Sequence, residues 1–222
     1  MHSARKLQAN SFQADAAAAE QTGRPAADVL AIEGVGLIYK TKRGSITALK
    51  DLTFDVREGE FVSVVGPSGC GKSTLLKIVA GLNLPTAGTV TLRGMPIAGP
   101  RSDIGFVFQK PSLMPWKSVL NNVLVTTRAL RMDPGEARDR ALKLLRMVGL
   151  EGFIDDYPGE LSGGMQQRVG LVRGLVHDPS LLLMDEPFAA LDAMTREHMA
   201  LELQQLWMST RKSVIFITHS IP

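Results

Sequence analysis

Residues 64–74 read VVGPSGCGKST. Gly66 is followed by Pro67, Ser68, Gly69 and Cys70, then by Gly71, Lys72, Ser73 and Thr74. The apolar run FVSVV at 61–65 precedes them, and a helical pattern follows that turns Leu75, Leu76 and Val79 inward and stops at Gly81. Strand, glycine-rich turn, Gly-Lys-Ser and helix together are the spacing of a phosphate-binding loop, or P-loop. Glycines let successive backbone N–H groups turn in around phosphate oxygens, and the helix N-terminus adds positive potential. Lys72 supplies a cation for the β- and γ-phosphates of a nucleotide, and Ser73 a hydroxyl for Mg²⁺. Cys70, the only cysteine, fills a position where a small side chain fits, and it excludes an internal disulfide framework.

Two further stretches carry chemistry. In LLLMDEP at 181–187, Asp185 emerges at the end of an apolar run, where it can hold Mg²⁺ through water. Glu186 next to it is the candidate to orient or deprotonate an attacking water. In LSGGMQQRV at 161–169, Leu161 precedes Ser162, a residue of N-cap type; Gly163, Gly164 and Met165 then open an amphipathic helix. That is a second helix terminus ready for an anion, although the P-loop already provides one.

The elements needed to position these residues are visible as patterns. FVSVV (61–65), IGFVF (104–108), LLLM (181–184) and VIFI (214–217) are short apolar runs without strict alternation, as in a parallel sheet covered on both faces. LTFDV and GTVTLRG alternate and predict an antiparallel, half-exposed portion. DPGEARDRALKLLRMVG predicts a helix with Asp133 as cap, Pro134 first, Glu136 completing a capping box and Gly149 at the end. Most of the chain between 108 and 181 reads helical, too much for one crossover, so a helical subdomain is expected there.

The 222 residues carry a net charge of +3, with basic residues scattered among acidic ones, which gives no stripe for nucleic acid. No apolar stretch reaches the ~18 residues needed to span a bilayer. Residues 1–28 have no apolar h-region, and Asp15 and Glu20 speak against a transit peptide; the segment is read as a flexible arm, with a helical stretch around its alanines open.

With these motifs in this order, residues 30 to 222 resemble the ATP-binding subunit of ABC transporters. The resemblance implies an α/β fold of the P-loop NTPase (RecA-like) kind: a parallel-sheet core, an antiparallel β subdomain and an inserted helical subdomain. Residues 29–222 would be the ATPase domain, with 29–109 and 166–222 as nucleotide core and 110–165 as the helical subdomain. It implies ATP and Mg²⁺ as ligands. LSGG, residues 161–164, would face the γ-phosphate of ATP held by a second copy, or by a related ATPase subunit, in a head-to-tail dimer. By the same resemblance Tyr39 stacks on adenine, Gln109 senses Mg²⁺ and the attacking water, Asp192 lies in the loop crossing the dimer interface, and His219 contacts the γ-phosphate. Chains of this family usually continue beyond the switch histidine, so a C-terminal part is expected beyond Ser220-Ile221-Pro222.

SLMPWKSVLNNV and DEPFAALDAMTRE are similar to ATPases of the nitrate/sulfonate/taurine importer group. That implies a location at the cytoplasmic face of the membrane, an integral-membrane permease docking near Gln109–Trp116 and, indirectly, a solute-binding protein. Trp116 is open between that docking role and a place in the core. A soluble non-transport ABC ATPase, or a nucleotide-binding subunit with little turnover, remain the competing classes. The solute is not encoded in this subunit.

Overall fold

The computed structural model describes residues 9–11, 28–42, 44–189 and 193–218. The chain divides into two compact units, residues 1–101 with 213–221, and residues 102–212. The first holds β1 (Ala9–Ser11), β2 (Asp28–Thr41), β3 (Gly44–Arg57), β4 (Phe61–Val65), α1 (Lys72–Val79), β5 (Ala87–Leu92) and β6 (Met95–Pro96). The second holds β7 (Ile104–Val107), α2 (Val119–Ala129), α3 (Pro134–Met147), α4 (Gly163–Leu175), β8 (Leu181–Asp185) and α5 (Ala193–Thr210), after which β9 (Ser213–Thr218) returns to the first unit.

In the first unit, β3-β2-β5-β6 form an antiparallel sheet. LTFDV lies in β3 and GTVTL in β5, each strand paired with β2, while Arg93 and Gly94 turn away into β6. The sheet closes one face on Val29, Leu30, Ile32, Val35, Leu37 and Val56, while much of β3 stays exposed. A long hairpin joins β2 to β3, and at its tip Thr41 Oγ1 donates to the Gly44 carbonyl at 2.8 Å. Beside this sheet, β4 runs parallel to β9, from Phe61↔Val214 to Val65↔Thr218.

Two expectations change here. FVSVV is not buried on both faces: Val62 and Val64 are 5% exposed, but Phe61, Ser63 and Val65 are only half-buried. A small polar residue at the centre of that second face tolerates partial cover. And of the segment read as an arm, Ala9–Ser11 are extended and paired antiparallel with β4, Ala9 opposite Val64. A strand edge offers unpaired N–H and C=O groups to any extended segment that reaches it. The remainder of that segment, alanines included, lies outside the described residues.

In the second unit, β7 pairs parallel with β8, Ile104↔Leu181 through Val107↔Met184, and Leu181 to Met184 are all buried, as an uninterrupted apolar run requires. Helices α2 and α3 start on side-chain caps: Ser118 accepts from Asn121 N–H, and Asp133 from Glu136 N–H at 2.9 Å. Ala137, Ala141, Leu144 and Leu145 form the buried stripe of α3, and Gly149 adopts φ +68° just beyond its end. Asn122, fully buried, accepts from Met114 N–H at 2.7 Å and donates to the carbonyls of Met114 and Lys117. That knot closes the loop 114–117 and turns Trp116 outward, 72% exposed, so Trp116 is not a core residue.

Helix α4 packs unusually close to β7. A Cβ on Gly105 would lie 2.2 Å from the Gly174 carbonyl oxygen and 2.9 Å from side-chain atoms of Leu182 and Pro179. One on Gly174 would lie 3.1 Å from Val107. Gly174 therefore has a packing reason to be glycine, despite the roughly 1 kcal/mol that glycine costs a helix. Gly105→Ala, which forces backbone to move, is expected to destabilise by about 1–3 kcal/mol. Urea unfolding measures this, and an unchanged midpoint would contradict the close approach.

Candidate functional site

In the first unit the loop between β4 and α1 is shaped by its glycines. Gly69 and Gly71 adopt φ +79° and +100°, in the left-handed region. Gly71 has no alternative on spatial grounds either, since its Cβ would fall 2.5 Å from the Ala48 carbonyl oxygen of β3. Cys70 N–H donates to the Pro67 carbonyl at 3.4 Å, and Cys70 itself is half-buried. Helix α1 starts at Lys72; among the described residues no side chain caps it and no acid stands in its first turn. Its own first turn thus brings no carboxylate to that end, which suits an anion there.

Lys72 is 5% exposed, and its ammonium donates to the carbonyls of Gly66 at 2.7 Å and Pro67 at 3.0 Å. A buried ammonium folded back onto its own loop, beside an uncapped helix start, is chemically matched to a polyphosphate. Ser73 and Ser68 are exposed, and Thr74 is half-buried. Tyr39, near the end of β2, is 39% exposed and sits opposite Ile46 of β3. The parallel strand β9 ends at Thr218, level with Val65 just before the loop. His219 lies outside the described residues, as does Asp192.

In the second unit the parallel register of β7 and β8 brings Gln109 and the Asp185-Glu186 pair to the same carboxyl edge. Such edges are where open α/β sheets bind ligands. Gln109 is exposed, Asp185 and Glu186 half-buried. Glu186 adopts φ +45°, a conformation uncommon for a non-glycine residue, and its carbonyl accepts from Ala189 N–H at 3.1 Å, so the chain turns sharply at this side chain. Among the described residues no three His, Cys, Asp or Glu side chains gather as a metal cluster. Within the second unit, Gln109 and Asp185 are oxygen donors of the kind that suits a hard cation such as Mg²⁺, which takes few protein ligands and completes its shell with water and phosphate.

Helix α4 begins at the LSGGM segment. Leu161 is buried, and Ser162 is the N-cap, its hydroxyl oxygen accepting from Met165 N–H at 3.3 Å. A Cβ on Gly163 would meet no described atom within 4 Å, and its φ is not positive, so neither space nor backbone within the chain demands a glycine there. A Cβ on Gly164 would instead lie 3.1 Å from the Thr195 side chain. Ser162, Gly164, Met165, Arg168, Met194 and Thr195 border an open hollow of about 610 Å³.

The same helix reaches the Gln109 segment through residues that sequence reading passed over. Gln167, 3% exposed, donates to the Phe108 carbonyl at 3.2 Å. Arg173 donates to the carbonyls of Pro111 and Ser112, and burial pulls its guanidinium below the usual arginine range. Gln167 had a readable signal, a polar residue on the buried stripe with Gly170, Leu171 and Gly174. Asn83, which donates to the Tyr39 hydroxyl, had none.

The family pattern described as ABC transporter matches residues 49–189. An uncharacterized ABC transporter ATP-binding protein of Methanocaldococcus jannaschii is 48% identical over 192 residues, 86% of this chain and 72% of that one. The taurine import ATP-binding protein of Burkholderia pseudomallei is 48% identical over 192 residues, covering 86% and 74%. Among solved structures, a dimeric ATP-binding cassette in a post-hydrolysis state bound to ADP and Pi superposes with TM-score 0.75 at 38% identity, covering 86% of this chain and 88% of that one. cbiO1 from Clostridium perfringens, part of the ABC transporter complex cbiONQ, gives 0.77 at 29%, covering 87% and 79%. A loop shaped for phosphate, an acidic strand end and relatives aligned over most of its length lead to one conclusion: the chain belongs to the ABC transporter family, as an ATP-binding subunit that hydrolyses ATP.

Proposed function

We propose that this subunit powers solute import by closing on ATP together with a second copy of itself. The observation that carries the reading is the unexplained openness of Gly163. A glycine that no described residue requires, at the start of a capped helix and beside an open hollow, leaves room for a phosphate arriving from outside. The similar cassette that is dimeric and bound to ADP and Pi supports the pairing of two copies.

In this reading Gly66 to Thr74 wrap the polyphosphate of one ATP, with Lys72 leaving its loop carbonyls for the β- and γ-phosphates. Tyr39 stacks on adenine. Ser73, Gln109 and Asp185 would hold Mg²⁺, which would neutralise charge on the phosphate oxygens. Glu186 orients and deprotonates water, and His219 contacts the γ-phosphate. From the other copy come the Ser162 hydroxyl, still able to donate its proton, the N–H groups of Gly163 and Gly164, and the loop of Asp192. Residues 29–109 and 166–222 act as the nucleotide core, and 110–165 as the helical subdomain that presents the signature segment at its end.

Transmission to the membrane follows from the contacts of the second unit. Gln167 and Arg173 join the signature helix to Phe108, Pro111 and Ser112, on either side of Gln109, and Asn122 holds Trp116 outward for a permease. Among the described residues no helix is long and apolar enough to cross a membrane; in this reading a permease holds the subunit at the cytoplasmic face. Relatives named for taurine import in Burkholderia pseudomallei and Pelagibacter ubique support a sulfonate-type solute, delivered by a solute-binding protein.

Gly163→Val is expected to leave the unfolding midpoint unchanged while abolishing Mg·ATP-driven pairing in light scattering; normal pairing would remove the signature segment from the interface. Glu186→Gln is expected to bind ATP with parental affinity yet hydrolyse it about 10²–10⁴-fold more slowly. A phosphate-release assay decides, and hydrolysis at the parental rate would take the general-base role from Glu186.

A further inference from the structure

We propose that Asn83 is a positioning residue for the nucleotide base, holding the ring of Tyr39 in the attitude that receives adenine. This rests on the stacking role proposed above for Tyr39.

Tyr39 lies two residues before the end of β2, on a hairpin whose tip is open to solvent: Ile38, Tyr39 and Ile46 are 45%, 39% and 59% exposed. A tyrosine in such a place ordinarily samples several χ1 rotamers, and ordering it on ligand binding costs entropy. Here Asn83 Nδ2 donates to the Tyr39 hydroxyl oxygen at 2.9 Å, across 44 residues of sequence. The hydroxyl lies on the long axis of the ring. A bond there fixes the direction of that axis, hence χ1, and takes nothing from the ring faces on which a base would stack.

The anchor is itself held. The N–H groups of Leu82 and Asn83 both donate to the Lys77 carbonyl, at 2.8 and 3.1 Å, so the segment hangs from the last turn of α1. Further along, Thr86 N–H donates to the Gly36 carbonyl at 2.8 Å, and Thr86 Oγ1 accepts from Ile38 N–H at 3.2 Å. Residues 82–86 are thus laced to α1 on one side and to the strand bearing Tyr39 on the other. Helix α1 has eight residues, about 12 Å of rise, and begins with Lys72. The phosphate cradle and the platform for the base are therefore fixtures of one rigid element, and Asn83 is the side chain that ties the platform to it.

The test compares the affinity of the full chain for ATP with its affinity for inorganic tripolyphosphate, which has no base. Asn83→Ala is expected to weaken ATP about 2- to 10-fold, the range for one exposed hydrogen bond, and leave tripolyphosphate unchanged. In turnover the loss should appear in KM and not in kcat. Tyr39→Phe should match it, the double variant should be no worse than either, and Asn83→Asp, which can accept the tyrosine proton instead, should restore affinity. Equal loss for both probes, or no loss for ATP while Tyr39→Ala weakens it, overturns the assignment. If Tyr39→Ala itself leaves ATP affinity unchanged, the stacking role beneath it fails instead.

Discussion

Backbone N–H groups in the first turn of a helix have no partner within the helix, and this chain prepares two such ends for an anion. At α1 the features lie within one unit: left-handed glycines curl the loop, a buried ammonium sits in it, and the helix's first turn carries no acid. At α4 they are fewer. Ser162 satisfies one donor, Gly163 faces open space, and the surface beside them is a hollow. In the function proposed here, a terminal phosphate held at the first kind of end meets the second kind on another molecule, and the features around α4 fit that meeting.

In that reading α4 has reason to be built with so little side chain. Gly170 and Gly174 let it lie against Pro111 and Val107, and Gly105 in β7 meets the Gly174 carbonyl with only hydrogen between. Close contact, with the Gln167 and Arg173 bonds to flanking carbonyls, ties the signature helix to the segment around Gln109. A phosphate drawn to the start of α4 would then be felt at Trp116, which Asn122 keeps on the surface. Loosely packed leucine or methionine at those glycine positions would absorb the displacement instead.

Much of this was legible in the residues because backbone requirements are written in glycine, proline and capping residues. The P-loop, the Asp133 and Ser162 caps, the antiparallel LTFDV and GTVTL strands and the buried LLLM run all have local signatures, and all stand where expected. What was not legible depends on partners far along the chain. The orientation of Trp116 is decided by a buried amide six residues on, whose burial no pattern announces. The half-cover of β4 depends on what packs over Phe61, Ser63 and Val65, and Asn83 becomes meaningful only once its loop lies beside Tyr39. Ala9–Ser11 pair with β4 through backbone groups alone, which any sequence could supply.

The central claim is that each working site is shared between two molecules. A mixing experiment addresses it most directly. A Lys72→Ala chain keeps its signature segment but loses its cradle; a chain altered at Gly163 keeps the cradle but loses the signature face. Each alone should be inert toward Mg·ATP in pairing and hydrolysis, whereas an equimolar mixture should contain pairs with one intact site and regain both. A mixture as inactive as its components at every ratio, with both chains folded, would contradict the account.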